Sequence, residues 1–225
     1  MLSDESLGKF TASRIVDLFT GGQGVTRFKY ILEKAEEVIK KHRKDAFVNQ
    51  YTQHGEYNEH EGIESFRLAT GFNVKYLEQK YFPINENCGS TPDAQVEDFA
   101  GNILAPVDNK CPFSKFFEQK MMILKESKPE YQNCPKQMYF QVQMQMMSLK
   151  TDIGYLVRYL TSANVDQDGN KYEYDLPLDV RLFYKEVKKD EKVQEEILKA
   201  VEKAAEERDQ LVEQLKTPFI YESIY

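Results

Sequence analysis

The hydrophobic pattern of the chain predicts helices, because apolar residues recur three and four positions apart in several stretches. The first stretch opens at Thr11-Ala12-Ser13 and would end at Gly21-Gly22. The other helices are expected at about 26–44, 54–69, 113–124, 136–149 and 190–216. The helix at 26–44 is expected to bury one side, which consists of Phe28, Ile31, Leu32, Ala35, Val38 and Ile39. Gly71 is the expected C′ residue of the helix at 54–69.

Shorter stretches with alternating or continuous apolar residues predict strands. They are expected at 72–78, 81–84, 89–97, 103–110, 153–161, 171–176 and 180–187. Residues 98–102 are expected to form a hairpin turn, and a loop with Asp168-Gly169-Asn170 would join 153–161 to 171–176 as a second hairpin. Helices and hairpins mixed in this order predict an α/β or α+β fold with a central mixed sheet. We expect one domain over residues 1–225, with a charged C-terminal helix at about 190–216.

Length and composition are those of a globular protein: 225 residues, 41% hydrophobic and 30% charged. No apolar run of about 18 residues is present, so no membrane-spanning helix is expected. The first five residues are acidic and lack the apolar segment of a signal peptide. Three widely spaced cysteines (Cys88, Cys111 and Cys134) without a CxxC pair favour reduced thiols in a cytoplasm over disulfides or a zinc ribbon.

The net charge of −7 taken alone counts against nucleic-acid binding, because affinity for phosphates comes largely from lysine and arginine. Two observations weaken this objection. A nuclease site must itself be acidic to hold metal, and the charges are unevenly distributed. Basic residues concentrate between positions 27 and 44, namely Arg27, Lys29, Lys34, Lys40, Lys41, Arg43 and Lys44.

Residues 91–112, TPDAQVEDFAGNILAPVDNKCP, concentrate candidate chemistry. Alternate side chains of a strand share a face, so Asp108 and Lys110 would point the same way, and the neighbouring strand could bring Asp93 beside them. Two carboxylates and a main-chain carbonyl suit Mg²⁺ or Mn²⁺, which would activate a water for phosphodiester hydrolysis. Lys110 would orient that water and stabilise the developing negative charge. Without further residues, an exposed strand pair beside a turn is the simpler interpretation.

Two other polar features lie on predicted helices. Glu59 shares the apolar face of Ile63 and Phe66, and a carboxylate directed at a core needs a partner, which could be a metal or an ion pair. The stripe formed by Gln137, Gln141 and Gln145 is interpreted as a solvated edge.

Together, these residues resemble a known family. The ordered set is Thr11-Ala12-Ser13, Gly55-x₃-Glu59, Gly71-Phe72-Asn73-Val74, Thr91-Pro92-Asp93, Asp108-Asn109-Lys110-Cys111-Pro112-Phe113 and Gln141-Val142-Gln143. From about residue 6 to 160 the chain resembles the phage lambda exonuclease, or YqaJ-type viral recombinase, branch of the PD-(D/E)XK nucleases. Residues 55–74 match the family without a gap, which identifies Glu59, rather than Glu56 or Glu61, as the helical carboxylate.

The resemblance implies a restriction-endonuclease-like core, with a central mixed sheet flanked by helices. It implies an Mg²⁺-dependent 5′→3′ exonuclease, with Mn²⁺ as a possible substitute, that digests one strand of linear double-stranded DNA. The 3′ overhang would pass to a phage single-strand annealing protein, and a homotrimeric ring around DNA would give processivity. The expected location is the cytoplasm of a bacterial host or of a bacterium carrying the prophage.

Carried over by position, Glu59, Asp93 and Asp108 would be metal ligands, Lys110 the catalytic lysine, and Gln141 part of the active-site helix. The residues that fall where the family binds the 5′-phosphate are Ser13, Thr91 and Lys115. The family's Trp-x₃-Arg segment is missing, since Ser6 stands at the arginine position and the chain has no tryptophan. Arg14 is the candidate substitute for that arginine.

Two alternatives remain open. One is another PD-(D/E)XK enzyme, such as a Cas4- or RecB-like nuclease with a different polarity, or an endonuclease. The iron–sulfur members of that group need four cysteine ligands, and this chain has three scattered cysteines. The other is a non-catalytic DNA-binding protein on the same fold, against which the intact carboxylates and Lys110 count.

Overall fold

The computed structural model describes residues 4–20, 25–42, 50–112, 116–126, 128–161, 163–165, 171–173 and 176–217. The α-helices are α1 (Val25–Lys40), α2 (Gln50–Thr70), α3 (Phe116–Met121), α4 (Lys136–Leu149), α5 (Leu178–Arg181) and α6 (Glu191–Lys216). The strands are β1 (Phe10–Thr11), β2 (Asn73–Tyr76), β3 (Phe82–Pro83), β4 (Cys88–Ser90), β5 (Ala94–Glu97), β6 (Ile103–Lys110), β7 (Ile153–Tyr159), β8 (Ala163–Val165), β9 (Lys171–Glu173) and β10 (Leu182–Lys188). A 3₁₀ helix, Ala12–Phe19, and a π-helical segment, Met122–Glu126, add to these.

A five-stranded mixed sheet, in the order β10-β7-β6-β5-β2, forms the centre of the fold. β6 and β7 run parallel, while the other neighbouring pairs are antiparallel. Helix α2 packs on one face through Ile63 and Phe66, and α4 packs on the other through Val142 and Met146. The predicted central mixed sheet flanked by helices is therefore confirmed.

The parity of β6 assigns its side chains to these two layers. Ala105 and Val107 belong to the apolar cluster under α2, and Asn109 also points to α2. Asp108 points the opposite way, to α4. Alternation along a strand thus separates Asp108 from Asn109, as the sequence predicts.

Helix α6 packs against α1 and α4, and the side of α6 that faces them is apolar. Val193, Ile197, Val201 and Ala204 are all buried. Asp190 caps the helix, since its side chain accepts a hydrogen bond from the Val193 amide. No helix in the described part of the chain is both long enough and apolar enough to span a membrane.

Hydrogen bonds between residues far apart in the sequence hold α6 against the rest of the fold. Arg27 of α1 makes two hydrogen bonds to Glu207 of α6, of 2.6 and 2.9 Å. Arg208 donates to the main-chain oxygen of Gly8 and to the side chain of Asn87. Helix α6 is thereby joined both to α1 and to the chain around β1 and β4.

Strand pairing differs from the sequence prediction in two places. The predicted hairpin of 153–161 with 171–176 is wrong, because β7 pairs with β6 and β10, whereas β9 pairs with β8. The loop predicted at 168–170 lies outside the described residues. The stretch 89–97 is two strands in different sheets, β4 and β5, rather than one.

The predicted buried face of α1 is also partly wrong. Phe28 is 54% exposed, and Val38 and Ile39 are exposed as well, whereas Lys34 and Glu37 are buried. Lys34 Nζ lies 2.7 Å from Glu37 Oε1, and Glu37 accepts a hydrogen bond from the Gly8 amide. Because the two charges neutralise one another and are hydrogen-bonded, α1 can bury a polar pair that hydrophobic periodicity would leave outside.

Helix α2 approaches β6 closely at Gly62. A Cβ built there would lie 2.7 Å from Asn109 Nδ2 and 3.0 Å from Cys111 Sγ. We expect Gly62→Ala to lower the free energy of unfolding by about 1–3 kcal/mol in chemical denaturation, because the crowded side chains must shift.

Gly55 on the same helix is the matched control. A Cβ there meets only the Cys111 carbonyl, at 4.0 Å. Gly55→Ala should leave stability unchanged or raise it by up to about 1 kcal/mol, since alanine is the better helix former. An equal response of the two variants would contradict close packing at Gly62.

Candidate active site

A cleft of about 660 Å³ opens beside the carboxyl end of β6. Residues from α2, β6, the segment after β6, α4 and β7 line it, among them Glu59, Lys110, Gln141 and Arg158. Elements far apart in sequence therefore bring predicted site residues into one cavity.

Asp93 and Asp108 meet at Lys110. Lys110 Nζ lies 3.4 Å from Asp93 Oδ2 and 3.4 Å from Asp108 Oδ1. Main-chain bonds fix Asp93 just before β5: its amide donates to the Val107 oxygen, and its Oδ2 accepts from the Asn109 amide at 2.6 Å. The predicted approach of Asp93 to Asp108 and Lys110 is thus present.

Glu59 reaches the same cleft from α2. Its Oε1 accepts a hydrogen bond from Tyr76 Oη at 3.1 Å, and its main-chain oxygen accepts from Asn109 Nδ2 at 2.9 Å. The second bond joins α2 to β6, so Asn109 holds the helix in register with the strand. Asp108 and Lys110 lie on the opposite face of β6.

Asp108 is fully buried, and donors contact both of its carboxylate oxygens. Gln141 Nε2 and Gln145 Nε2 donate to Oδ1, the latter over 3.3 Å. Arg158 Nη1 donates to Oδ2 over 3.2 Å. A buried carboxylate requires such partners, and α4 and β7 supply them.

Two parts of this arrangement escaped the sequence interpretation. The glutamine stripe is not a solvated edge: Gln141 and Gln145 are buried against Asp108, and only Gln137 is exposed. Arg158 was not singled out at all. The available signal was a lone charge in the otherwise apolar or aromatic run from Ile153 to Leu160.

The electrostatics of the cleft reflect three crowded carboxylates. Burial raises the pKa of Asp93 to about 7, with Asp108 and Glu59 adding to the rise and Lys110 opposing it. Burial also raises the pKa of Glu59, against the pull of Lys110 and the Tyr76 hydrogen bond. Burial works the same way on Asp108, but Lys110 and Arg158 outweigh it and hold the pKa of Asp108 below its ordinary value.

Lys110 responds in the opposite sense. About half of its side-chain surface is exposed (49%), yet its ammonium group lies between carboxylates. Desolvation lowers the pKa of Lys110, but Asp108 and Asp93 more than offset this and raise the pKa above its ordinary value. Lys110 is therefore a firmly charged ammonium as the structure stands.

The donor set suits a hard divalent cation, since it consists of carboxylate oxygens whose charge is incompletely balanced. Among the described residues, no three acidic, histidine or cysteine side chains are grouped tightly enough to hold an ion as they stand. The Lys110 ammonium lies between Asp93 and Asp108, and both carboxylate oxygens of Asp108 already accept hydrogen bonds. A metal would have to compete with these contacts.

The four residues predicted to bind a 5′-phosphate have different surroundings. Ser13 is exposed on the 3₁₀ helix, and Thr91 is half-buried two residues before Asp93. Arg14 is paired with Asp17 (3.0 Å) and Glu33 (2.7 Å) and stacks 4.0 Å from the centre of the Tyr30 ring. Lys115 lies outside the described residues. Phosphate binding at these four positions stays a prediction.

Comparison with solved structures supports the fold assignment. An alkaline exonuclease (LHK-Exo) from Laribacter hongkongensis superimposes with a TM-score of 0.71 at 22% identity, over 93% of this chain and 92% of that one. Its complex with dAMP gives a TM-score of 0.73, also at 22% identity, over 95% and 94%. A phage-related exonuclease from Haemophilus somnus 129PT gives 0.72 at 16% identity, over 92% and 96%. The chain thus has the fold of these exonucleases, of the PD-(D/E)XK type.

A family model also matches the chain at the level of sequence. The model of the family described as YqaJ-like viral recombinase domain matches residues 6–153. No curated protein matches the chain. The matched segment contains Glu59, Asp93, Asp108, Lys110 and Gln141, and ends at the first residue of β7.

Proposed function

Because the chain belongs to the YqaJ-like viral recombinase domain family, a family of nucleases, we propose that it is a metal-dependent exonuclease acting on linear double-stranded DNA. It digests one strand from 5′ to 3′ and leaves a 3′ overhang. The observation that carries this proposal is the position of Lys110 Nζ, 3.4 Å from both Asp93 and Asp108 in a cleft that Glu59 also lines.

In this proposal, Glu59, Asp93 and Asp108 hold Mg²⁺, for which Mn²⁺ can substitute. The metal would polarise the scissile phosphate and lower the pKa of a bound water. Lys110 stabilises the negative charge that develops on the phosphate oxygens, because it remains an ammonium close to the reacting groups. Gln141 and Gln145 hold Asp108 in place from α4.

The dAMP complex of LHK-Exo supports the exonuclease part of the proposal, since a deoxynucleoside monophosphate is the product of removing one nucleotide at a time. Strand polarity, 5′-phosphate binding at Ser13, Thr91, Lys115 and Arg14, and transfer of the overhang to a phage single-strand annealing protein rest on the family resemblance. So do a homotrimeric ring and a cytoplasmic location. That residues 1–225 work as one nuclease domain is supported by the pairing of β10 with β7 and the packing of α6 on α1 and α4.

The decisive experiment uses linear duplexes with 5′-phosphate or 5′-hydroxyl ends and a closed circular duplex. Each is incubated with Mg²⁺, with Mn²⁺ or with a chelator, and one strand is labelled at either end. We expect loss of one strand from its 5′ end, with release of mononucleotides, only when metal is present.

Other results would point elsewhere. Cutting of closed circles would indicate an endonuclease, and digestion from the 3′ end would indicate a nuclease of other polarity. DNA binding without cleavage under either metal would indicate a non-catalytic protein on the same fold.

A further inference from the structure

A buried arginine lies against the carboxylate at the centre of the site. Arg158 of β7 is 2% exposed, and it stands in register with Lys110 on the parallel neighbour β6. Its Nη1 donates to Asp108 Oδ2 over 3.2 Å and to the main-chain oxygens of Val157 and Asp108, over 2.7 and 3.4 Å. Arg158 therefore reaches Asp108 sideways across the sheet.

The contacts of Asp108 are divided between its two oxygens. Arg158 donates a hydrogen bond to Oδ2. Oδ1 accepts hydrogen bonds from Gln141 and Gln145 and lies 3.4 Å from Lys110 Nζ. A carboxylate on a short side chain can rotate about its Cα–Cβ and Cβ–Cγ bonds. With one oxygen fixed by a planar guanidinium, that rotation is restricted and the other oxygen stays on the side of Lys110.

The hydrogen bonding of Arg158 is incomplete for a purely structural ion pair. Within the described residues, its Nε is buried and has no hydrogen-bond partner. Arg158 also lines the cleft together with Glu59 and Lys110. Buried donors are rarely left unpaired, so the unpaired Nε calls for an explanation, such as a catalytic role or a water or ion bound beside it.

On the basis of the proposed function, we propose that Arg158 is a positioning residue that acts through Asp108. It fixes the orientation of the Asp108 carboxylate, so that Oδ1 is already directed to the side of Lys110 before a metal ion arrives. Groups that support a metal ligand in this way typically change metal affinity or activity by roughly 10–100-fold when they are removed.

The sign of the effect separates positioning from simple charge balance. Arg158 is a cation close to the metal ligands, so loss of its charge alone would strengthen Mg²⁺ binding. Loss of orientation would weaken it. We expect orientation to dominate, because Asp108 is fully buried and would lose its partner on Oδ2.

The test uses Arg158→Met, which removes both the charge and the donors, and Arg158→Lys, which keeps the charge without the planar group. Mg²⁺ affinity of the DNA-free protein is measured by calorimetry, melting temperature by calorimetric scanning, and kcat and KM on linear duplex DNA. We expect both variants to bind Mg²⁺ roughly 10–100-fold more weakly and to show a lower kcat with KM for DNA unchanged.

Two controls define the interpretation. Arg181→Gln changes a partly buried arginine that donates to Tyr159 Oη, Leu160 O and Leu176 O. This variant should keep wild-type Mg²⁺ affinity even if it melts earlier. In an Asp108→Asn background, Arg158→Met should not weaken Mg²⁺ binding any further, because the residue through which it acts has changed.

Mg²⁺ affinity in Arg158→Met equal to or tighter than wild type would overturn the inference, as would a full effect in the Asp108→Asn background. Should Arg158→Met not fold, wild-type affinity in folded Arg158→Lys would overturn it, and weakened affinity would support it. A wild-type protein that neither binds Mg²⁺ nor cleaves DNA would defeat the proposed function, and this inference with it.

Discussion

Lys110→Ala is expected to abolish cleavage of linear duplex DNA while leaving the fold and DNA binding largely intact. Lys110 Nζ lies 3.4 Å from Asp93 and from Asp108, and the pKa of Lys110 is raised, so alanine removes a permanent positive charge from the reacting centre. Loss of one such group costs about 10²–10⁴-fold in rate. The measurement is the single-turnover rate with enzyme in excess, together with DNA affinity and melting temperature.

Lys75→Ala is the matched control for this variant. Lys75 also stands on a strand of the main sheet and is paired with a carboxylate, Glu97, at 3.5 Å, but its side chain is 62% exposed. It should cleave at the wild-type rate. Wild-type turnover by Lys110→Ala would remove Lys110 from the mechanism, and a collapse of its melting temperature would show that its role is structural.

Asp93→Asn and Asp108→Asn are expected to weaken Mg²⁺ binding and to reduce cleavage. Each exchange keeps the shape of the side chain and removes a negative oxygen that the proposal gives to the metal. A direct ligand should matter at least as much as the groups that support ligands, which implies a loss of affinity of roughly tenfold or more for each variant. Calorimetric titration of metal into the DNA-free proteins measures it.

Glu97→Gln serves as the control, because Glu97 lies on β5, four residues after Asp93, and its hydrogen-bond donor Gln95 and its ion-pair partner Lys75 are not site residues. Its Mg²⁺ affinity should match that of wild type. Unchanged affinity in both aspartate variants would contradict the ligand assignment, whatever happens to the cleavage rate.

The sequence predicted the parts of the fold that depend on local periodicity. Helices α2, α4 and α6 and strand β6 lie close to their predicted ranges, because each has a continuous pattern and clear ends, such as Gly71 after α2 with a φ of +70°. The partner predicted for β7 was wrong. Alternation within a strand specifies which face is buried and says nothing of which strand lies beside it.

The candidate site shows the same division. Strand parity points to Asp108 and Lys110, and the apolar face of a predicted helix points to Glu59. The family resemblance points to these three residues and to Asp93. The burial of Gln141 and Gln145 could not be inferred from their own helix, because it depends on Asp108 arriving buried from β6. Arg158 was missed for a similar reason: its partner lies 50 positions away in the chain.

The hydrogen bonds of α6 to distant residues have a consequence for how the protein is made. Arg27 can pair with Glu207 only after another 180 residues have been synthesised, and Gly8 can bond to Arg208 only after another 200. Ribosomes add about 5–20 residues per second, so strands β5 and β6 emerge many seconds before α6 does. A nascent chain can therefore bring Asp93 and Asp108 together while α1 still exposes the surface that α6 will cover. During that interval the side of α1 that α6 covers in the finished fold stays open to water.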